Sequence, residues 1–119
     1  MNILVCGTRD VPSQKQADKV MDILHLFTRG ETHTLIHGAA PGVDTIASMY
    51  AKRVEWEVRP FPADWERHGK AAGPIRNQQM LDENDVDLVL AFPAASSRGT
   101  WDMVERAVKN RIPVRVYPL

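Results

Sequence analysis

The sequence is short of several things, and each shortage closes off a class of function. One cysteine, Cys6, in 119 residues excludes an intramolecular disulfide and fits a reducing compartment. Lys+Arg and Asp+Glu are equal at 15 each, so no global basic field draws the chain onto nucleic acid. No apolar run approaches the length of a membrane span, and no secretory signal is legible at the start. No Gly-x-Gly-x-x-Gly and no glycine loop followed by Lys-Ser/Thr is present, which sets aside the dinucleotide fingerprint and the P-loop. Spaced Cys/His/Asp/Glu clusters are missing, so no metal site is expected. No Ser–His–Asp elbow and no cofactor motif can be read. The expectation is a cytoplasmic protein of one domain, residues 1–119, with one core.

What is present is an alternation of short apolar runs and amphipathic stretches. Ile3-Leu4-Val5-Cys6, Thr34-Leu35-Ile36-His37, Glu57-Val58-Arg59-Pro60-Phe61, Leu88-Val89-Leu90-Ala91-Phe92 and Val114-Arg115-Val116-Tyr117 read as strands. The third is more polar and carries a proline, which suits an edge. Pro12-Ser13 opens the first helix, with Ser13 and Gln16 spaced as a capping box; Ala17, Val20, Met21, Leu24 and Phe27 form its apolar face, and Gly30 ends it. A second helix starts at about Val43, with Ile46, Ala47, Tyr50 and Ala51 inward. Residues 62–74 show no period, as expected of a functional or mobile loop, apart from a possible turn around Trp65. A third helix is expected from near Ile75 through Leu81. A fourth runs from about Thr100 to Asn110 with Met103, Val104, Ala107 and Val108 inward. This order predicts an α/β fold: an open, mainly parallel five-stranded sheet with helices on both faces. Ligands of such sheets bind beyond the carboxyl ends of the strands.

Candidate site residues lie at that edge. Gly38 and Gly42 flank a turn into the second helix, either as a backbone cradle for phosphate or as a turn that needs glycine sterically. Asp44 in the first helical turn reads as a ribose contact or as a complement to the helix dipole. His37 ends its strand there, as a ligand contact or a structural residue. After the first strand come Gly7, Thr8 and Arg9; the arginine suits a phosphate, or an ion pair with Asp10. Gly73 and Pro74 precede Arg76 and Asn77. An arginine in a first helical turn opposes the dipole, which points to a bound anion unless the helix start is shifted by a few residues. Lys70, His68 and Trp65 can cover a base or ribose, or simply form a solvated loop. Arg98, Gly99 and Thr100 close the set, with hydroxyls and N–H groups at a helix start and Thr100 as a possible N-cap. Trp101 reads as a stacking surface or as packing.

Together Gly7-Thr8-Arg9-Asp10, His37 to Ala47, Pro62-Ala63-Asp64-Trp65, Gly69 to Met80 and Ser97-Arg98-Gly99-Thr100 resemble the YspA/YpsA-related branch of the SLOG superfamily. The superfamily includes the Smf/DprA proteins and the LOG cytokinin-activating enzymes. The resemblance implies a Rossmann-like fold, a nucleotide-like small-molecule ligand that is sensed or sequestered, and a homodimer formed through helices on the sheet face. It also implies two sharper alternatives. LOG enzymes cleave the N-glycosidic bond of a nucleoside monophosphate, with an Arg-Lys-x-x-Met motif and a Gly-Gly-x-Gly-Thr-x-x-Glu motif. Arg76 to Met80 matches the first at its arginine and methionine. Gly99-Thr100 matches the second, but its glutamate position falls on Met103. For a hydrolase the catalytic candidates are therefore Arg76 and Asp44, with Asp64 as another carboxylate; Asp102 is adjacent but turned about 100° away on a helix. DprA proteins bind single-stranded DNA through a Gly-x-Ala-x-Gly-Ile-Asp segment that Gly38 to Asp44 nearly reproduces. The histidine that often follows is Ser48 here, and the net charge is zero, so nucleic acid is not the expected partner.

Overall fold

The structure is a computed structural model, and it describes residues 1–29 and 31–119; the expected helix stop at Gly30 lies outside the described residues. Five strands form one sheet in the order β3-β2-β1-β4-β5, and every pairing is parallel. They are β1 (Asn2–Gly7), β2 (Thr34–His37), β3 (Glu57–Pro60), β4 (Leu88–Phe92) and β5 (Val114–Val116). The helices are α1 (Gln14–His25), α2 (Val43–Arg53), the single turn α3 (Trp65–His68), α4 (Ala72–Asp82) and α5 (Arg98–Lys109). A 3₁₀ turn, Gly69–Ala71, joins α3 to α4. The winding reverses between β1 and β4, the middle and its neighbour in the strand order.

The pleat of β1 shows how the two layers form. Alternate residues of a strand face opposite sides. Ile3 and Val5 join Val20 and Leu24 of α1 and Val43, Ala47 and Ala51 of α2 in one core. Leu4 and Cys6 face the other way, against Met80 of α4 and Met103 and Ala107 of α5. All of β4 is buried, as its unbroken apolar run requires, whereas β3 at the sheet edge is half covered.

Three expectations need correction. Helix α4 starts at Ala72 rather than near Ile75, with Pro74 as its third residue. The first four N–H groups of a helix have no partner within it, so proline is tolerated there. Arg76 is thus one turn inside, and the dipole argument for a bound anion loses its premise. Helix α5 starts at Arg98, with Ser97 rather than Thr100 in the N-cap position. Its inner line is Thr100, Met103 and Ala107, with Val104 at the flank. Val108 lies one step of about 100° beyond Ala107 and is 62% exposed. The capping box of α1 is only half formed. Ser13 Oγ accepts from the Gln16 N–H at 3.2 Å, but the Gln16 side chain does not return the bond. No helix of the described residues is long and apolar enough to cross a membrane.

Candidate functional site

A cavity of about 980 Å³ opens at the carboxyl edge of the sheet, between the loops after β1, β2 and β4 and the helices α3 and α4. Its size is at the upper end for small-molecule sites. Gly7, Thr8, Arg9, Gly38 and Asp44 line it from the β1 and β2 side. Gly73, Arg76 and Asn77 line it from α4, and Arg98, Gly99 and Thr100 from α5. His37 and Gly42 do not reach it; they shape the loop behind it.

That loop is satisfied from within. Asp44 Oδ2 accepts the N–H groups of Gly38 at 3.1 Å and Ala40 at 3.2 Å. The Ala39 N–H donates to His37 Nδ1 at 2.9 Å, and Ala39 takes a φ of 55°. The Val43 N–H donates to the Thr8 carbonyl at 3.1 Å. These amides are therefore spent on the turn rather than held open for an anion. Burial keeps the His37 pKa below its ordinary value, helped by the Lys52 and Arg76 charges, so the imidazole is neutral and able to accept.

Gly42 is required by sterics, and Gly38 makes room for the Arg76 side chain. Gly42 has φ 79°, and a Cβ there would sit 2.6 Å from the Arg9 carbonyl carbon. Gly38 leaves room for a guanidinium: an added Cβ would lie 2.6 Å from Arg76 Cζ. Arg76 Nη1 donates to the carbonyls of Gly38 and Phe61, and its Nε donates to Asn77 Oδ1 at 3.1 Å. Asn77 is buried and donates in turn to the Gly99 carbonyl at 3.2 Å and to Asp102 Oδ2 at 2.9 Å. Arg76 and Asn77 thus tie α4 to the β2 loop and to α5.

Asp44 is nearly covered. Burial pushes its carboxyl up to about 6, against the lowering influence of the Ala40 amide, Arg76, the Gly38 amide and Arg9. Its Oδ1 has no hydrogen bond among the described residues, although Asp44 lines the cavity. Asp64 is elsewhere: its Oδ1 caps α3 by accepting the Arg67 N–H at 3.1 Å. Met103 is fully buried among Leu4, Cys6 and Met80, so the residue of that turn lining the cavity is Asp102. Burial raises the Asp102 carboxyl, but hydrogen bonds from Arg106 and Asn77 and the Arg106 and Lys109 charges outweigh it and leave it low.

The open feature is the start of α5. No side chain caps it and no acidic residue lies in its first turn. Ser97 Oγ is turned back to accept the Ala94 N–H at 2.8 Å. The N–H groups of Gly99 and Thr100 have no partner among the described residues, and a Cβ at Gly99 would meet nothing within 4 Å. Arg98 and Arg9 make no ion pair among the described residues, so the alternative reading of Arg9, an ion pair with Asp10, is not formed there. Arg9 instead lies over the half-exposed ring of Trp65, 5.8 Å from its centroid. Cys6 is buried in the cavity wall, where burial raises its pKa and keeps it a thiol. No group of three or more His, Cys, Asp or Glu suited to a metal occurs among the described residues.

Residues 1–68 match the family model YAcAr, described as the YspA, cpYpsA-related SLOG family. The chain is also 36% identical over 118 residues to the Gene 61 protein of Mycobacterium phage D29, covering 94% of this chain and 92% of that protein. The chain belongs to the YspA, cpYpsA-related SLOG family. Two solved structures share the fold of this SLOG chain. The X-ray structure of TM1055, a structural genomics target, superposes with a TM-score of 0.72 at 15% identity, over 95% of this chain and 71% of that one. DNA processing protein A from Helicobacter pylori, whose structure concerns single-stranded DNA binding, also gives 0.72, at 17% identity. The SLOG chain is covered completely in that match and spans 66% of the other.

Some of the cavity lining has no motif to announce it. Pro12, Gln16, Ala94, Ala95 and Leu119 were not among the candidates. The rule that ligands sit past the strand ends covers Pro12, Ala94 and Ala95, since each follows a strand. Gln16 was hidden because Ser-x-x-Gln reads as a cap.

Proposed function

We propose that this protein binds a nucleotide or nucleotide-derived small molecule at the carboxyl edge of the sheet, with a phosphate on the first turn of α5. The observation that carries the reading is the uncapped α5 start, with two N–H groups unpartnered among the described residues, beside Arg98 in a cavity of about 980 Å³. A helix N-terminus bears about half a positive charge, and free amides there favour anionic oxygens. Arg98 and Arg9 add charge with no ion pair to break among the described residues, Arg9 having only its place over the Trp65 ring to adjust. The free Oδ1 of Asp44 suits a hydroxyl donor such as a ribose. Gly38, Gly42 and His37 support the reading indirectly, by holding Asp44 and Arg76 in place.

A thermal-shift screen tests this with nucleoside mono- and diphosphates, ADP-ribose, cyclic dinucleotides, inorganic phosphate and a single-stranded oligonucleotide. A ligand at a hundred times its Kd stabilises by about 2.7 kcal/mol, a readily measured rise in Tm. Arg98→Ala is expected to weaken binding about tenfold with no loss of stability. A flat profile across the panel sinks the reading. Arg76→Ala is the wrong probe, because it strips hydrogen bonds from two carbonyls and removes the stronger of the two positive charges acting on Asp44. It is expected to cost about 2–4 kcal/mol of stability, measurable by urea unfolding.

A second reading, N-glycosidic hydrolysis of a nucleoside monophosphate, is favoured by one observation. Asp44 is a buried carboxyl near 6 with an uncommitted oxygen in the cavity, the character of a general acid or base. It predicts release of free base, abolished by Asp44→Asn. Release no faster than the uncatalysed background removes this reading and leaves binding intact.

A further inference from the structure

Trp65 opens α3 and lines the cavity; of the described residues that line it, Trp65 alone is aromatic. It is 48% exposed. A single exposed aromatic is ordinary on an open surface. This one stands in a cavity wall, on a fixed backbone and under a guanidinium.

The backbone is fixed by hydrogen bonds, although residues 62–74 carry no sequence period. Asp64 Oδ1 accepts the Arg67 N–H at 3.1 Å, and the His68 N–H donates to the Asp64 carbonyl at 3.0 Å. The Gly69 N–H donates to the Trp65 carbonyl. The tip of the ring rests on the start of α4, where a Cβ built at Gly73 would lie 3.5 Å from Trp65 Cη2, an ordinary contact. Arg9 shows which part of the ring is available. Its guanidinium lies over the ring, 5.8 Å from the centroid, and Arg9 itself lines the cavity. A face of the indole, and not only its edge, is therefore turned to the cavity. The distance is close to the ~6 Å limit of such contacts, and no ion pair among the described residues fixes Arg9 there. The guanidinium is a loose cover that a flat group stacking directly on the indole displaces.

We infer that Trp65 is the platform on which the base of the nucleotide stacks, with Arg9 displaced from the ring. The inference rests on the nucleotide reading above and deepens it: Trp65 holds the base, while α5 and Arg98 hold the phosphate. Stacking on an aromatic ring responds to flatness and area rather than to a pattern of donors and acceptors. A purine covers more of an indole than a pyrimidine does. The ligand class is therefore a purine nucleotide.

Calorimetry with AMP, GMP, CMP, UMP and ribose 5-phosphate tests this on the wild type, Trp65→Phe, Trp65→Leu and Arg98→Ala. On the wild type the purine nucleotides are expected to bind most tightly and ribose 5-phosphate least. Trp65→Leu is expected to lower AMP and GMP affinity about tenfold, with no fall for ribose 5-phosphate, and Trp65→Phe to keep part of the difference. Arg98→Ala is expected to weaken every compound. Fluorescence gives a second readout. AMP is expected to quench the wild type more than ribose 5-phosphate does, and Trp65→Phe to lose that excess, since Trp56 is buried against His33 and Tyr50 and Trp101 does not line this cavity. An equal fall for AMP and ribose 5-phosphate in Trp65→Leu, or no fall for AMP, overturns the platform and leaves the phosphate site standing. So does an AMP quench that persists in Trp65→Phe. Equal wild-type affinities for purine and pyrimidine nucleotides overturn the purine class. Failure of every compound to bind the wild type overturns both readings.

Discussion

Gly42 and Gly99 both stand at helix starts and do different work. Gly42 has φ 79° and ψ −123°, a region open essentially to glycine, and faces the Thr8 and Arg9 backbone. Gly42→Ala is expected to destabilise by about 2–3 kcal/mol, read from the urea midpoint. Gly99→Ala places its methyl in open space within a helix and is expected to leave stability unchanged or raise it by under ~1 kcal/mol. Asp44 carries a distinct signature in pH. Its folded pKa of about 6 lies above the ordinary 3.8, so the folded state holds the proton more tightly than the unfolded state does. The resulting stabilisation is full below pH 3.8 and is lost as pH rises through about 6. The stability of Asp44→Asn relative to wild type is expected to improve across that window, by on the order of 3 kcal/mol. Denaturant titrations at pH 4 and pH 8 (roughly bracketing the window) check it, and an unchanged difference would show that Asp44 stays ionised in the fold.

At the scale of elements, α5 decides how the family motif is to be read. Met103 occupies the expected glutamate position, yet it is fully buried in the α4–α5 core. Met103→Glu is expected to cost about 3–5 kcal/mol by burying an unpaired carboxylate, and to add no hydrolase activity. Circular dichroism melting and a base-release assay check the two halves. The strands and α2 were legible because short runs ending near glycine or proline, and inward residues spaced by three and four, leave few alternatives. Helix α4 was harder. Its Ile75 is 45% exposed, only Ala72, Asn77 and Met80 are buried, and no side chain caps its start. The candidate site was legible as a set of loops at one sheet edge, since parallel strands bring all such loops together. The division of labour within it was not. Whether an amide is free or already bonded depends on Asp44 and His37 folding back onto their own loop, which spacing does not reveal.

At the scale of the molecule, the Thr8 peptide is a junction. Its N–H donates to the Phe92 carbonyl at 2.9 Å, and its carbonyl accepts from Val43 at 3.1 Å. One residue therefore links the ends of β1 and β4 and the start of α2, on both sides of the winding reversal. The mechanical consequence is that these segments cannot drift apart separately. The scaffold is preorganised, and ligand capture is expected to proceed with little backbone rearrangement and an ordinary association rate, roughly 10⁵–10⁷ M⁻¹s⁻¹. Amide hydrogen exchange would make the junction visible. The Thr8 and Val43 amides are expected to exchange only with global opening, whereas those of Gly99 and Thr100 exchange freely until a ligand protects them.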